Sequence, residues 1–116
     1  LKTILNEDVV WSRYELGIDF FEEYLEYFRS HSGEIYAKLT QALDKKDMVE
    51  VARFAHDLKG LCFNLGLERF AAHLKAMETL SAEGAVDALQ SHLNELPELS
   101  KQAMLALETY RDKQEC

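Results

Sequence analysis

The chain has 116 residues, 47% hydrophobic and 29% charged, with a formal net charge of −8. That length and composition fit one globular domain over residues 1–116 with a single core. The acidic balance weighs against nucleic acid or an acidic membrane surface as a partner, and no apolar run reaches the roughly 18 residues of a membrane span.

Helical periodicity dominates and no stretch sustains strand alternation. One proline and five glycines leave room for a few long helices. The first helix is predicted from Glu7 to about Tyr14, capped by Asn6, with Val10, Trp11 and Tyr14 on its apolar side and Gly17 ending it. Ser12 with Glu15 offers an alternative cap for a shorter turn. Asp19 is the expected N-cap of the second helix. There Phe21, Tyr24 or Leu25, Phe28, Ser32, Ile35, Leu39 and Leu43 recur at spacings of three and four, a stripe about 35 Å long. Ser32-Gly33 is a place where this helix can bend. Glu22, Glu23, Glu26, Arg29 and Lys38 form its solvated face.

Asp44-Lys45-Lys46-Asp47 reads as a tight connection, and Asp47 with Glu50 as a capping box. The third helix carries Met48, Val51, Ala55, Leu58, Cys62 and Leu65, with Gly66 at its C-cap. The fourth carries Leu67, Phe70, Leu74 and Met77 and ends near Leu80, so helices three and four form an antiparallel hairpin. Ser81 is the expected cap of a fifth helix with Ala85, Leu89, Leu93 and Leu96, then Leu99 or Ser100, Ala103, Leu107 and Tyr110. Pro97 either kinks that helix or starts a new one. Arg111 to Cys116 is expected to fray. The predicted fold is all-α: an up-down-up-down four-helix bundle with a short N-terminal cap helix, complete enough to be a monomer.

The functional signal is His56. On a helical wheel it lies about 160° from Leu58, the centre of the core stripe, and so points outward. Lys59 and Gly60 follow one turn later, and Ala52 and Arg53 precede by one turn. Val49 and Phe63 lie farther along the same side. That outward face is flatter and more apolar than a solvated face, as a docking surface is. A neutral imidazole is a nucleophile near neutral pH, and an exposed one is within reach of another protein's active site. Lys59 places an ammonium where it can offset phosphoryl charge. Gly60 removes a side chain beside the imidazole, at a cost of about 1 kcal/mol against alanine in mid-helix. Each residue alone has a plainer reading: a surface histidine, a solvated lysine, a packing notch.

Ala55 and the run His56-Asp57-Leu58-Lys59-Gly60, Leu61-Cys62-Phe63, Asn64-Leu65-Gly66 and the aliphatic helix from Leu67 through Leu74 to Met77-Glu78 resemble the signature of the histidine-containing phosphotransfer (HPt) domain family. The likeness covers nearly the whole chain. It implies a bundle whose exposed histidine is reversibly phosphorylated: His56 as acceptor and donor, Lys59 as the nearby positive group, Gly60 for access. It also implies a receiver domain of a response regulator or hybrid histidine kinase as partner, docking over Val49, Ala52, Arg53 and Phe63. The domain would be a phosphocarrier in a two-component phosphorelay, not a self-sufficient enzyme. It would need no cofactor of its own, with Mg²⁺ on the partner receiver. Leu61 and Cys62 depart from the family's small residues and are expected inward or on the flank. Phe63 is large for a docking face: it would either narrow the choice of receiver or wedge against the second helix.

Cys62 and Cys116 are not expected to pair, which fits a reducing compartment. Leu1 to Asp8 lack the apolar region and cleavage site of a signal peptide. The expected location is the cytoplasm, as a free protein or as a domain of a membrane-anchored hybrid kinase. His31, His73 and His92 have no metal-ligand spacing and read as surface or boundary residues. The rival readings are a receiver-binding adaptor without transfer, the dimerisation module of a histidine kinase, and a structural bundle with His56 incidental.

Overall fold

In the computed structural model five α-helices account for the fold: α1 (Glu7–Tyr14), α2 (Ile18–Asp44), α3 (Met48–Asn64), α4 (Glu68–Ala82) and α5 (Val86–Glu115). The structure describes residues 3–116; the first two positions of the expected domain lie outside the described residues. Each of α2 to α5 packs on the next, and α2 also packs on α5, so the four close into a bundle. α1 lies against α2. The predicted stripes form the core. Phe21, Leu25, Phe28 and Leu39 of α2 are buried with Val51, Ala55, Leu58 and Cys62 of α3, Phe70, Leu74 and Met77 of α4, and Leu89, Leu93, Leu96 and Leu107 of α5. Leu25, rather than Tyr24, is the core member of its pair.

The three bundle turns share one device. The N–H two residues past the C-cap returns to the carbonyl at the start of the helix's last turn: Asp47 to Ala42 at 2.9 Å, Leu67 to Cys62 at 2.9 Å, Ala85 to Leu80 at 3.0 Å. This paired arrangement satisfies carbonyls that the helix end would leave open, and it needs a left-handed residue in the middle. Lys46, Gly66 and Gly84 take that conformation, with φ of 55°, 67° and 68°.

Several expected boundaries move. α2 is capped by Gly17 without a side-chain hydrogen bond, and Asp19 sits inside the first turn, where its charge suits the helix dipole. Ser81 does not cap α5. It lies within α4, buried, and donates its hydroxyl proton to the Met77 carbonyl at 2.8 Å. α5 instead begins at Val86 after Ala85, without a side-chain cap. The Asp47–Glu50 box is half formed: the Glu50 N–H donates to Asp47 Oδ1 at 3.1 Å, but the Glu50 carboxylate turns to Arg53. α2 continues through Ser32-Gly33, and α5 continues through Pro97. The last turn of α5 is helical to Glu115, with Arg111 held by Glu22 of α2 at 2.9 Å.

α1 fixes the end of the α3–α4 hairpin. The Asn6 N–H donates to the Gly66 carbonyl at 2.7 Å, and Arg13 Nε donates to the Asn64 carbonyl at 2.7 Å. The Asn6 side chain caps α1 through the Val9 N–H at 3.4 Å and reaches Glu68 at 3.1 Å. A Cβ at Gly66 would stand 2.7 Å from the Asn6 carbonyl oxygen, so residue 66 must be glycine for space as well as conformation.

Candidate functional site

The middle of α3 divides the helix between two surroundings. Val51, Ala55, Leu58 and Cys62 go into the core. His56, two residues from Leu58, comes out on the far side with 69% of its side chain exposed. Its Nδ1 lies 3.5 Å from Glu78 Oε2 of α4. The other oxygen of that carboxylate, Oε1, is 2.6 Å from Lys59 Nζ. Among the described residues no hydrogen bond or ion pair engages His56 Nε2, which is left as the open ring nitrogen.

Lys59 is not the free surface cation that its sequence position alone describes. Its side chain is only 17% exposed and is ion-paired to Glu78, itself 26% exposed. Glu78 Oε1 is buried and has no hydrogen-bond partner, so the Lys59 ammonium is what offsets its charge. Sequence reasoning assigned Glu78 no role. Its signal was available, because His56 and Glu78 are equidistant from Leu67 at the hairpin turn, and residues so placed in an antiparallel pair face each other.

Gly60 is exposed, and a Cβ built on it would meet no atom within 4 Å. The packing-notch reading of this glycine is therefore wrong: no neighbouring helix needs the gap. Val49 and Phe63 stand out at 77% and 54% exposure, and with Gly60 they give the face its apolar character. Ala52 is half-buried and Arg53 exposed. Arg53 is committed to Glu50, with Nη2 2.6 Å from the carboxylate, and its guanidinium lies 4.6 Å over the Phe54 ring. The Glu50 hydrogen bond raises the Arg53 pKa, and the same bond lowers that of Glu50.

Phe63 points outward rather than wedging against α2. What lies between α2 and α3 is a groove of about 430 Å³, lined by Phe20, Tyr24, Tyr27 and Phe28 of α2, by Leu61 of α3 and by Leu65 just past its end. Phe20 and Tyr27 are 56% and 52% exposed. These α2 residues were also missed from sequence. Their signal is two aromatics seven residues apart, off the core stripe of α2, on a face that is otherwise acidic.

Cys62 is in the core, where burial pushes its thiol pKa well up, and it is free, as is the exposed Cys116. The remaining histidines have structural partners. His31 stacks on Tyr27 at 3.8 Å, His73 Nε2 is 2.8 Å from the His92 carbonyl across α4 and α5, and His92 Nδ1 is 2.9 Å from the Ala88 carbonyl. Among the described residues no helix is long and apolar enough to cross a membrane.

The chain is thus a four-helix bundle with a solvent-facing imidazole in mid-helix and a carboxylate of the next helix 3.5 Å from it. Residues 23–109 match the family model of the Hpt domain, and the chain belongs to that family. Its function is accordingly histidine phosphotransfer in a two-component phosphorelay, between kinase and receiver domains, as a carrier rather than an independent catalyst. Among solved structures the chain is similar to histidine-containing phosphotransfer protein B (HptB) from Pseudomonas aeruginosa PAO1, with a TM-score of 0.86 and 21% identity over 97% of this chain and 98% of that chain. A comparison with curated proteins gives no match.

Proposed function

We propose that residues 1–116 act as one monomeric carrier domain in which His56 is the phosphoryl acceptor and donor. The observation that carries this is the pairing of an open Nε2 with an Nδ1 that lies 3.5 Å from the Glu78 carboxylate. A carboxylate beside Nδ1 favours the tautomer with the proton there, which leaves the lone pair on Nε2. That lone pair attacks the phosphorus of a receiver's aspartyl phosphate. The P–Nε2 bond forms as the P–O bond to the aspartate breaks, and the aspartate leaves as a carboxylate. The ring then carries positive charge, and the Nδ1–H directed at Glu78 stabilises it. In the return step the same proton lets the ring leave as neutral imidazole. Mg²⁺ and the acidic pocket come from the receiver.

Docking uses the face around Val49, Ala52, Arg53, Gly60 and Phe63, extended by the aromatic groove of Phe20, Tyr24 and Tyr27. The groove is continuous with the residues that follow Gly60 on α3, and exposed aromatics flanking a reactive group suit a partner surface. With a net charge of −8, neither nucleic acid nor an acidic membrane is the expected partner.

The test is transfer from a phosphorylated receiver domain. The wild-type chain should acquire an acid-labile, base-stable phosphate. His56→Gln should acquire none while keeping its helical circular dichroism, because the side chain is outside the core. Labelling of a folded His56→Gln protein would refute the assignment, and a receiver complex without labelling of the wild type would favour the adaptor reading.

A further inference from the structure

We propose that the aromatic groove between α2 and α3 is a cation subsite that takes an arginine side chain of the docked receiver. The inference deepens the docking reading above and rests on it.

Three observations carry it. The first is the wall. Phe20, Tyr24, Tyr27 and Phe28 line the groove with aromatic rings around about 430 Å³, a volume within the range of small-ligand sites. The second is the charge set among those rings. Glu23 lines the groove and is exposed, and among the described residues no ion pair or hydrogen bond engages it. Its neighbours on the acidic face are committed, Glu22 to Arg111 at 2.9 Å and Glu26 to Arg29 at 2.8 Å. The Asn64 side chain, at the same groove, is likewise without a hydrogen bond among the described residues. The third is a cation of this chain already drawn to that wall. The Arg13 guanidinium lies 5.7 Å from the centre of the Tyr24 ring, anchored by its Nε to the Asn64 carbonyl at 2.7 Å. Arg13 is not part of the groove's lining, so the space inside stays open.

Rings attract cations through the negative charge of their faces, and a carboxylate among them adds to the pull. Guanidinium suits the set better than ammonium. It is planar, weakly hydrated, stacks on rings and pairs with a carboxylate through two parallel N–H donors. An apolar side chain would gain from the rings but would cover Glu23 without a partner, which costs binding. An acidic one would be repelled. The place fits a receiver. Leu61 and Asn64 follow His56 by five and eight residues, about 8–12 Å along the helix axis, so a protein seated over the imidazole reaches the groove with the same surface. A receiver without the cation would bury Glu23 unpaired, so the subsite selects among receivers by penalising the wrong ones.

The test has two arms, both on the full chain. In the first, Nα-acetyl-arginine amide is titrated while the ring resonances of Phe20, Tyr24 and Tyr27 are followed by NMR. Arginine amide should give saturable shifts at millimolar concentration. The neutral norleucine amide should bind at least about threefold more weakly, and Glu23→Gln and Tyr27→Leu should each weaken the arginine amide by a similar factor. In the second arm, a phosphorylated receiver that labels the wild-type chain is compared with potassium phosphoramidate, a small phosphoryl donor that needs no docking. Glu23→Gln should lower the ratio of receiver-driven to phosphoramidate labelling about threefold, through KM for the receiver and not kcat, and raised salt should narrow the difference. Norleucine amide binding as tightly as arginine amide would overturn the proposal in favour of an apolar anchor. Arginine amide binding in the groove with an unmoved receiver KM in Glu23→Gln would overturn the receiver as its source and leave a free small cation as the occupant. A receiver that labels the chain without disturbing the Phe20 and Tyr27 resonances would defeat the docking reading, and the amide titration would still report whether the groove selects cations.

Discussion

Gly60→Ala should make the protein more stable and less active. Gly60 is in the interior of α3, exposed, and an added Cβ has no atom within 4 Å to strain against. The full helix-propensity difference is therefore recovered, about 1 kcal/mol. For a domain of this size that raises Tm by about 4 °C. The same methyl group stands one turn from His56 on the docking face. If a receiver closes over that spot, the methyl meets a packed interface, and an extra methyl in such packing costs about 1–3 kcal/mol, or roughly 5- to 150-fold in transfer rate. Thermal unfolding by circular dichroism gives the first quantity, and initial rates of transfer from a phosphorylated receiver give the second. Phosphoramidate supplies the control, because a small donor does not need the cleared surface and should label both proteins alike. A variant that is stabilised and still transfers at the wild-type rate would refute the idea that Gly60 is there for a partner. A variant with slowed labelling from phosphoramidate would show that the methyl disturbs His56 itself.

Two further substitutions test the scaffold. Gly66→Ala should destabilise by about 2–3 kcal/mol, from left-handed backbone strain and the clash with the Asn6 carbonyl, read as a lower urea midpoint. Cys62 should give a pH signature and a chemical one. Burial lets the folded thiol hold its proton beyond the range, near 9.0, where the unfolded thiol loses it, so its contribution to stability is complete below that range and declines as pH rises above it. Denaturation midpoints measured on either side of that range should show the decline, and Cys62→Ala should flatten it. An aromatic disulfide reagent should find one thiol in the folded protein, Cys116, and two after denaturation; fast reaction of Cys62 in the native state would contradict its burial.

The bundle was legible because apolar stripes at spacings of three and four name the inward face of a helix whatever it packs against. The same logic placed His56 outside. Caps were less legible. Asp19 and Ser81 are good capping residues, but the chain reverses by satisfying carbonyls through left-handed residues at 46, 66 and 84, and this sets each following helix start. Ser81 was then absorbed into α4, its hydroxyl satisfied by Met77. Glu78 and the α2 aromatics share another reason for being missed. Their meaning depends on which residue of a second helix lies opposite, and a one-helix wheel carries no register between helices. The Gly66 turn supplies that register.

The site can also be recognised by where the sequence departs from what would best stabilise a bundle. Alanine suits position 60 better than glycine by about 1 kcal/mol, with room to spare. An apolar pair would suit the largely buried positions 59 and 78 at least as well as an ion pair, because desolvating two charges offsets much of their attraction. Both departures lie about one helical turn from one exposed imidazole or on the carboxylate beside it. Chance would scatter such concessions over the surface. Their concentration at His56 is what a functional site predicts, since local rules are broken where chemistry needs access and charge rather than packing. It also separates the two concessions by role. Gly60 concerns what may approach the imidazole, and Glu78 with Lys59 concerns which nitrogen meets it. Docking and tautomer should therefore fail independently: Gly60→Ala should affect only receivers, and Glu78→Gln should affect every phosphoryl donor.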